Sequence, residues 1–147
     1  MFYPIAIEAG DNDFAYGVIV PDLPGCYSAG DTLDEAIMNA KEAITGHIEL
    51  LVELEKDIPA VSTVAELAKN AEYSGYTWAL VEIDLTRLLG GSEKINVTLP
   101  KSLIDRIDRC VASNPEFKSL SGFLAQAALE RVVAVRSKHR GEKNKPV

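Results

Sequence analysis

A chain of 147 residues with 47% hydrophobic content can bury a core in one domain or two small ones, which excludes a wholly disordered protein. No run of about 18 apolar residues occurs, and the opening MFYPIAIEAGDND lacks the basic and apolar regions of a secretory signal, so a cytosolic, non-membrane protein is expected. The formal net charge of −7 hides a split: residues 1–91 carry four basic against 16 acidic side chains, net −12, and residues 92–147 carry 11 basic against six acidic, net +5.

Two parts of opposite charge suggest two partners. A basic part suits a polyanion such as DNA, and an acidic part repels nucleic acid and suits a basic protein. Cys26 and Cys110 stand alone, as do His47 and His139, so no disulfide framework, zinc site or other cofactor is expected.

Along the chain, Phe2 to Ile7 reads as a strand in which Pro4, lacking a backbone donor, favours a sheet edge or a strand start. AGDND is a turn, Phe14 to Val20 a second strand, and PDLPGCYSAGD a turn-rich stretch with a short third strand around Cys26 to Ala29. Thr32 and Glu35 have the spacing of a capping box. Leu33, Ile37, Ala40, Ile44, Ile48 and Leu51 then recur every three or four residues, which predicts a long amphipathic helix lying on a sheet. Thr63 and Glu66 cap a short second helix through Lys69, and Tyr76 to Leu85 is a final strand. The order β-β-β-α-(α)-β is an α+β layer architecture. LLGGSE, residues 88–93, falls where the charge changes sign and is the candidate linker.

Beyond it, Ile95, Val97 and Leu99 alternate with Lys94, Asn96 and Thr98, predicting a strand over 94–99. Pro100 suits a first helical turn. Helix 101–112 carries Leu103, Ile104, Ile107 and Val111 on one face, SNPEFK breaks it, and a second helix over 121–135 carries Phe123, Leu124, Ala127, Ala128 and Val132. Strand and two helices in some 45 residues cannot bury so small an apolar set within one chain. If two copies pair their strands antiparallel about a two-fold axis, Lys94, Asn96 and Thr98 all face outward on a ribbon whose width fits the DNA major groove. The basic tail, residues 136–147, is expected to be disordered.

Residues 94–132, KINVTLPKSLIDRIDRCVASNPEFKSLSGFLAQAALERV, resemble a ribbon-helix-helix DNA-binding domain. The resemblance implies base reading by Lys94, Asn96 and Thr98, and a phosphate held by the backbone N–H groups of Ser119 to Gly122. Ser119 and Ser121 lie in that segment, with Lys118 beside it. One departure stands out, because many relatives have a basic residue in the helix-start segment where this chain has Leu120. Residues 13–44, DFAYGVIVPDLPGCYSAGDTLDEAIMNAKEAI, are similar to HicB-type antitoxins. Together the two resemblances imply a partial ribonuclease H-like toxin-binding domain over 1–88, a linker over 89–93 and a ribbon-helix-helix domain over 94–135. They imply a homodimer or tetramer that blocks a small basic HicA-type mRNA-cleaving toxin and represses its own operon at operator DNA.

Toxin contacts are expected at Asp22, Leu23, Pro24, Cys26 and Tyr27 at the sheet edge, and at Asp31, Asp34 and Glu35 at the helix start. For the last three, helix capping alone is an equal reading. Two other functions remain open at this point: a ligand-sensing repressor, and a ribonuclease H-like nuclease, which would need several carboxylates converging on the sheet.

Overall fold

The structure is a computed structural model and describes residues 1–143. The chain divides into two compact units, Met1–Leu89 and Gly90–Val147. Among the described residues no helix is long and apolar enough to cross a membrane.

The first unit contains β1 (Phe2–Glu8), β2 (Tyr16–Ile19), β3 (Tyr27–Gly30), α1 (Leu33–Glu53), α2 (Val64–Leu67), a 3₁₀ turn (Ala71–Tyr73), β4 (Thr77–Glu82) and α3 (Leu85–Leu88). The strands form one antiparallel sheet in the order β3-β2-β1-β4. β1 is therefore an inner strand, so of the two readings that Pro4 left, edge or strand start, the edge does not hold, and Pro4 is the third residue of the strand. Pro4 is tolerated because of its register: β1 pairs with β2 only from Ala6↔Ile19 onward, and continuing that register sets Pro4 opposite Pro21, where neither residue can donate.

The second strand is shorter than expected. Asp11 accepts the N–H groups of Asp13 and Phe14 at 2.8 and 2.9 Å, which holds 11–14 as a turn and leaves Phe14 outside the strand and exposed. α3 replaces the end of the predicted final strand, and Leu85 in it is buried.

α1 starts at the N-cap Thr32, whose hydroxyl accepts Glu35 N–H at 3.1 Å, while Glu35 reaches back to the N–H of Asp31 at 2.9 Å, one residue before the cap. Its buried face is Ala36, Ala40, Ile44 and Ile48, and Leu33, expected to be inside, is partly exposed. The small residues explain the phase. A Cβ built on Gly30 would lie 2.3 Å from the Ala36 nitrogen, so the helix start rests on β3 at a distance only glycine permits. β1 shows five consecutive buried residues, Tyr3 to Ile7, so both sheet faces are covered at its centre. α2 is closed by a reciprocal capping box between Thr63 and Glu66, and these hydrogen bonds hold the Glu66 carboxyl below the usual range.

The second unit contains α4 (Lys101–Ser113), a 3₁₀ turn (Pro115–Phe117) and α5 (Leu120–Lys143). Pro100 is the N-cap residue of α4, not its first helical residue. Residues 91–100 form no strand within a single chain. α5 runs on through Lys143, so residues 136–143 of the tail expected to be disordered are helical. Arg136, Lys138, Arg140 and Glu142 are good helix formers, and no proline intervenes before Pro146. The rest of that tail, 144–147, lies outside the described residues. Phe123 and Leu124 are half-buried as expected of an inner face, but Ala127, Ala128 and Val132 are exposed and Val133 is buried instead.

Among the described residues Tyr3 holds the one buried side-chain polar atom without a hydrogen-bond partner. Its side chain is fully buried, its hydroxyl has no hydrogen-bond partner, and burial, with Asp22 adding to it, pushes the phenol up to about 12. A folded-state value above the unfolded one means that the native state holds the proton longer. The associated stability is complete below pH 10 and is lost as the pH rises through about 12. Tyr3→Phe removes the unpaired hydroxyl, so stability at pH 7 should stay equal or rise by up to ~1 kcal/mol. The decline between pH 10 and 12 should flatten in urea unfolding curves followed across that range.

Candidate functional site

Two surfaces carry the residues singled out by the sequence, one in each unit. In the C-terminal unit, Lys94, Asn96, Thr98, Lys118, Ser119 and Ser121 are all exposed. Between the first three stand Ile95, 73% exposed, and Val97, 62% exposed. Both are large branched side chains exposed on a short segment with no ladder partner among the described residues. Leu103, Val132 and Val135 add further exposed apolar surface on the helices, and Ile107 and Val133 are the buried residues among those described in this unit.

The start of α5 is built tightly. Lys118 takes a positive φ of 61°, uncommon for a residue with a Cβ, at the turn out of the 3₁₀ segment. Ser119 N–H donates to Phe117 O at 2.7 Å, and Ser119 Oγ accepts Gly122 N–H at 3.0 Å as an N-cap would. Of the four N–H groups from Ser119 to Gly122, two are thus used internally. Those of Leu120 and Ser121 have no partner among the described residues and sit where the helix end is electropositive. Phe117 and Phe123 meet edge to face at 5.1 Å beneath this turn.

In the N-terminal unit the candidates divide by environment. Leu23 and Cys26 are buried, and burial pushes the Cys26 thiol up. They hold a turn closed by Cys26 N–H to Leu23 O at 2.9 Å, with Pro24 exposed at its corner and Val20 N–H accepted by Cys26 O at 3.2 Å. Asp22 is half-buried and committed to Ser62, whose N–H and Oγ it accepts at 2.9 and 2.6 Å. That pair ties the segment before α2 to the loop after β2. Asp31, Asp34 and Glu35 are exposed at the start of α1, and Glu35 is occupied there by the Asp31 N–H. Tyr27 is exposed on β3. The structure thus brings Pro24, Tyr27 and the three carboxylates to the surface on the β3 side of the sheet.

Among the exposed apolar side chains that the sequence reading passed over are Phe2, Leu80 and Met38. The first two share a corner, because Pro4 pairs with Leu80 and Phe2 with Glu82, so Phe2, Leu80 and Glu82 lie on one face. The signal was present in the alternation of the last strand, which puts Trp78, Leu80 and Glu82 together. Its meaning depended on the sheet order.

A family profile described as HicB-like antitoxin of bacterial toxin-antitoxin systems matches residues 3–128. The chain belongs to the HicB-like antitoxin family. The crystal structure of the Burkholderia pseudomallei antitoxin HicB is 49% identical to it, with a TM-score of 0.78 over 89% of this chain and 98% of that one. The crystal structure of antitoxin HicB3 is 30% identical, with a TM-score of 0.65 over 90% and 98% of the two chains. An uncharacterised 14.9 kDa protein from the rep-hol intergenic region of Haemophilus phage HP1 is 46% identical over 134 residues, 91% of this chain and 99% of the relative.

Among the described residues no group of three or more His, Cys, Asp or Glu is placed to hold a metal ion. Asp84, at the end of β4, instead accepts the Thr86 hydroxyl at 2.7 Å.

The turn before α5 gives a direct test of its construction. A Cβ on Gly122 would lie 2.2 Å from the Phe117 carbonyl oxygen, which is backbone and cannot give way cheaply. Gly122→Ala should therefore destabilise the C-terminal unit by about 1–3 kcal/mol in thermal or urea unfolding.

Proposed function

We propose that this antitoxin neutralises a small basic HicA-type toxin with its acidic N-terminal unit. On the same reading it represses its own operon through a dimeric ribbon-helix-helix formed by its C-terminal unit. The observation that carries the DNA half is the exposed row 94–98, in which Ile95 and Val97 alternate with the exposed Lys94, Asn96 and Thr98. Pairing this segment with its copy in a second chain buries the apolar set against the helices and turns both polar sets outward as one ribbon. Each lysine can then donate to guanine, each asparagine can bond adenine through two hydrogen bonds, and each threonine offers a hydroxyl and a methyl.

The α5 turn supports the same reading. Two unpaired backbone N–H groups at the start of a 24-residue helix, with Lys118 beside them, suit one phosphate oxygen pair and fix the ribbon's register on the duplex. Leu120 adds no charge there, so Lys118 supplies the nearest cation. Positive charge in this unit and negative charge in the other keep DNA away from the toxin-binding part.

For the toxin half, support comes from the family and from charge. An enzyme that cleaves RNA presents a cationic surface to its substrate, and an acidic fold can cover that surface and exclude RNA sterically. The same logic makes toxin and RNA compete.

Asn96→Ala should weaken operator binding by roughly 1–3 kcal/mol and relax specificity at one base-pair position, with toxin neutralisation unchanged. A chain truncated after Gly91 should still neutralise the toxin but bind no operator. Gel-shift titrations against operator variants, together with a growth-rescue assay, separate the two activities. Loss of both activities in Asn96→Ala, or operator binding by the truncated chain, would refute this division of labour.

A further inference from the structure

The two edges of the N-terminal sheet are not equivalent. Met1 and Ile83 exchange both backbone hydrogen bonds, at 2.8 and 2.9 Å, so they form a hydrogen-bonded pair of the β1–β4 ladder. By the alternation of an antiparallel ladder, Val81, Ala79 and Thr77 also turn their backbone groups toward β1, and Trp78, Leu80 and Glu82 turn theirs away. These outward groups have no partner among the described residues.

On the other edge, the same counting turns Tyr27 and Ala29 of β3 outward, and there the Asn39 amide of α1 donates to Ala29 O at 2.8 Å. β3 has four residues against the six of β4, and one of its outward groups is already taken by its own helix. β4 has six residues, TWALVE, in regular register with β1, without proline, glycine, lysine or a bulge, and its one charged side chain is Glu82 at its end. The side chains that stand beside the open backbone groups are those of an interface. Leu80 is 58% exposed, Phe2 lies diagonal to it, and Glu82 and Asp84 are exposed at the end of the strand.

We propose that the toxin docks by adding a strand to the free edge of β4. The incoming strand would carry an apolar side chain against Leu80 and Phe2 and a cationic one against Glu82 and Asp84. The inference rests on the toxin-binding function proposed above, and it moves the contact from the β3 side, where the sequence candidates lie, to the opposite edge. Charge selects the occupant. A second copy of this chain would bring another unit of net charge −12 to the same edge, whereas a basic protein is attracted to it. Backbone pairing supplies affinity in such an addition, and the alternate side chains supply selectivity.

The test uses the full-length antitoxin and a HicA-type toxin, titrated calorimetrically. Leu80→Lys places a cation on the edge without touching the β1 ladder, and Leu80→Pro removes one outward N–H. Each should weaken toxin binding about tenfold or more, the loss typical of removing an interface anchor. Far-UV circular dichroism and the unfolding midpoint should match the parent, and if Leu80→Pro fails to fold, Leu80→Lys decides. Met38→Lys, at an exposed position on α1, should bind as the parent does.

Hydrogen exchange adds a readout that a mere side-chain contact would not move: the amides of Trp78, Leu80 and Glu82 should gain protection when toxin binds. Parent-like affinity in folded Leu80 variants, absence of that protection, or a larger loss from Tyr27→Lys than from Leu80→Lys would overturn the proposal. A change in the oligomeric state of toxin-free Leu80→Lys would also overturn it, by assigning the edge to a second copy of the chain. A parent chain that binds no toxin overturns the proposed function itself.

Discussion

The C-terminal unit has too little buried apolar surface to close a core from one chain, and most of the proposed account follows from that deficit. Fully burying a branched side chain such as Ile95 or Val97 is worth about 1.5–3 kcal/mol, and here both are left in water. On α5 the exposed Ala128 and Val132 stand four residues apart, which places them on one stripe of the helix. A second chain can supply strand and helix together. On the proposed reading, dimerisation and DNA recognition are then a single event, because burying Ile95 and Val97 is what turns Lys94, Asn96 and Thr98 outward.

The N-terminal unit meets its constraints differently. Its sheet is closed on one face by α1, which approaches β3 closely enough to require Gly30, and Asp22 ties the following segment back to the loop after β2. What stays open is an edge, not a core. An edge offers directional backbone groups, and these suit recognition of a partner that must be bound and released. On the proposed reading, the net negative charge of residues 1–91 sets the sign of that partner.

Much of this was legible in the sequence because it is encoded locally. The caps at Thr32 and Thr63, the helices α1 and α4, the break at Asn114–Pro115 and the charge reversal near Gly90 are all read from residues within a few positions of one another. The failures are non-local. Pro4 suggested an edge or a strand start, and only the register of β2 against β1 shows how an inner strand accommodates it near its start. Leu33 fits the stripe of α1, but the close approach at Gly30 rotates the buried face onto Ala36. Leu23 and Cys26 belong to a short motif that resembles the family, yet they hold their turn from inside. Leu80 is one more apolar residue in an alternating strand until the strand order leaves β4 at the rim. The helical extension to Lys143 was missed because a basic, polar composition was read as disorder although it contains good helix formers.

The claim that the C-terminal unit is completed by a second copy can be addressed most directly by the mass of the full-length chain in solution, measured by light scattering or sedimentation equilibrium at micromolar concentration without toxin or DNA. The account predicts twice the 16.0 kDa chain mass, or a larger even multiple. A monomer with its α4 and α5 helices intact would contradict it.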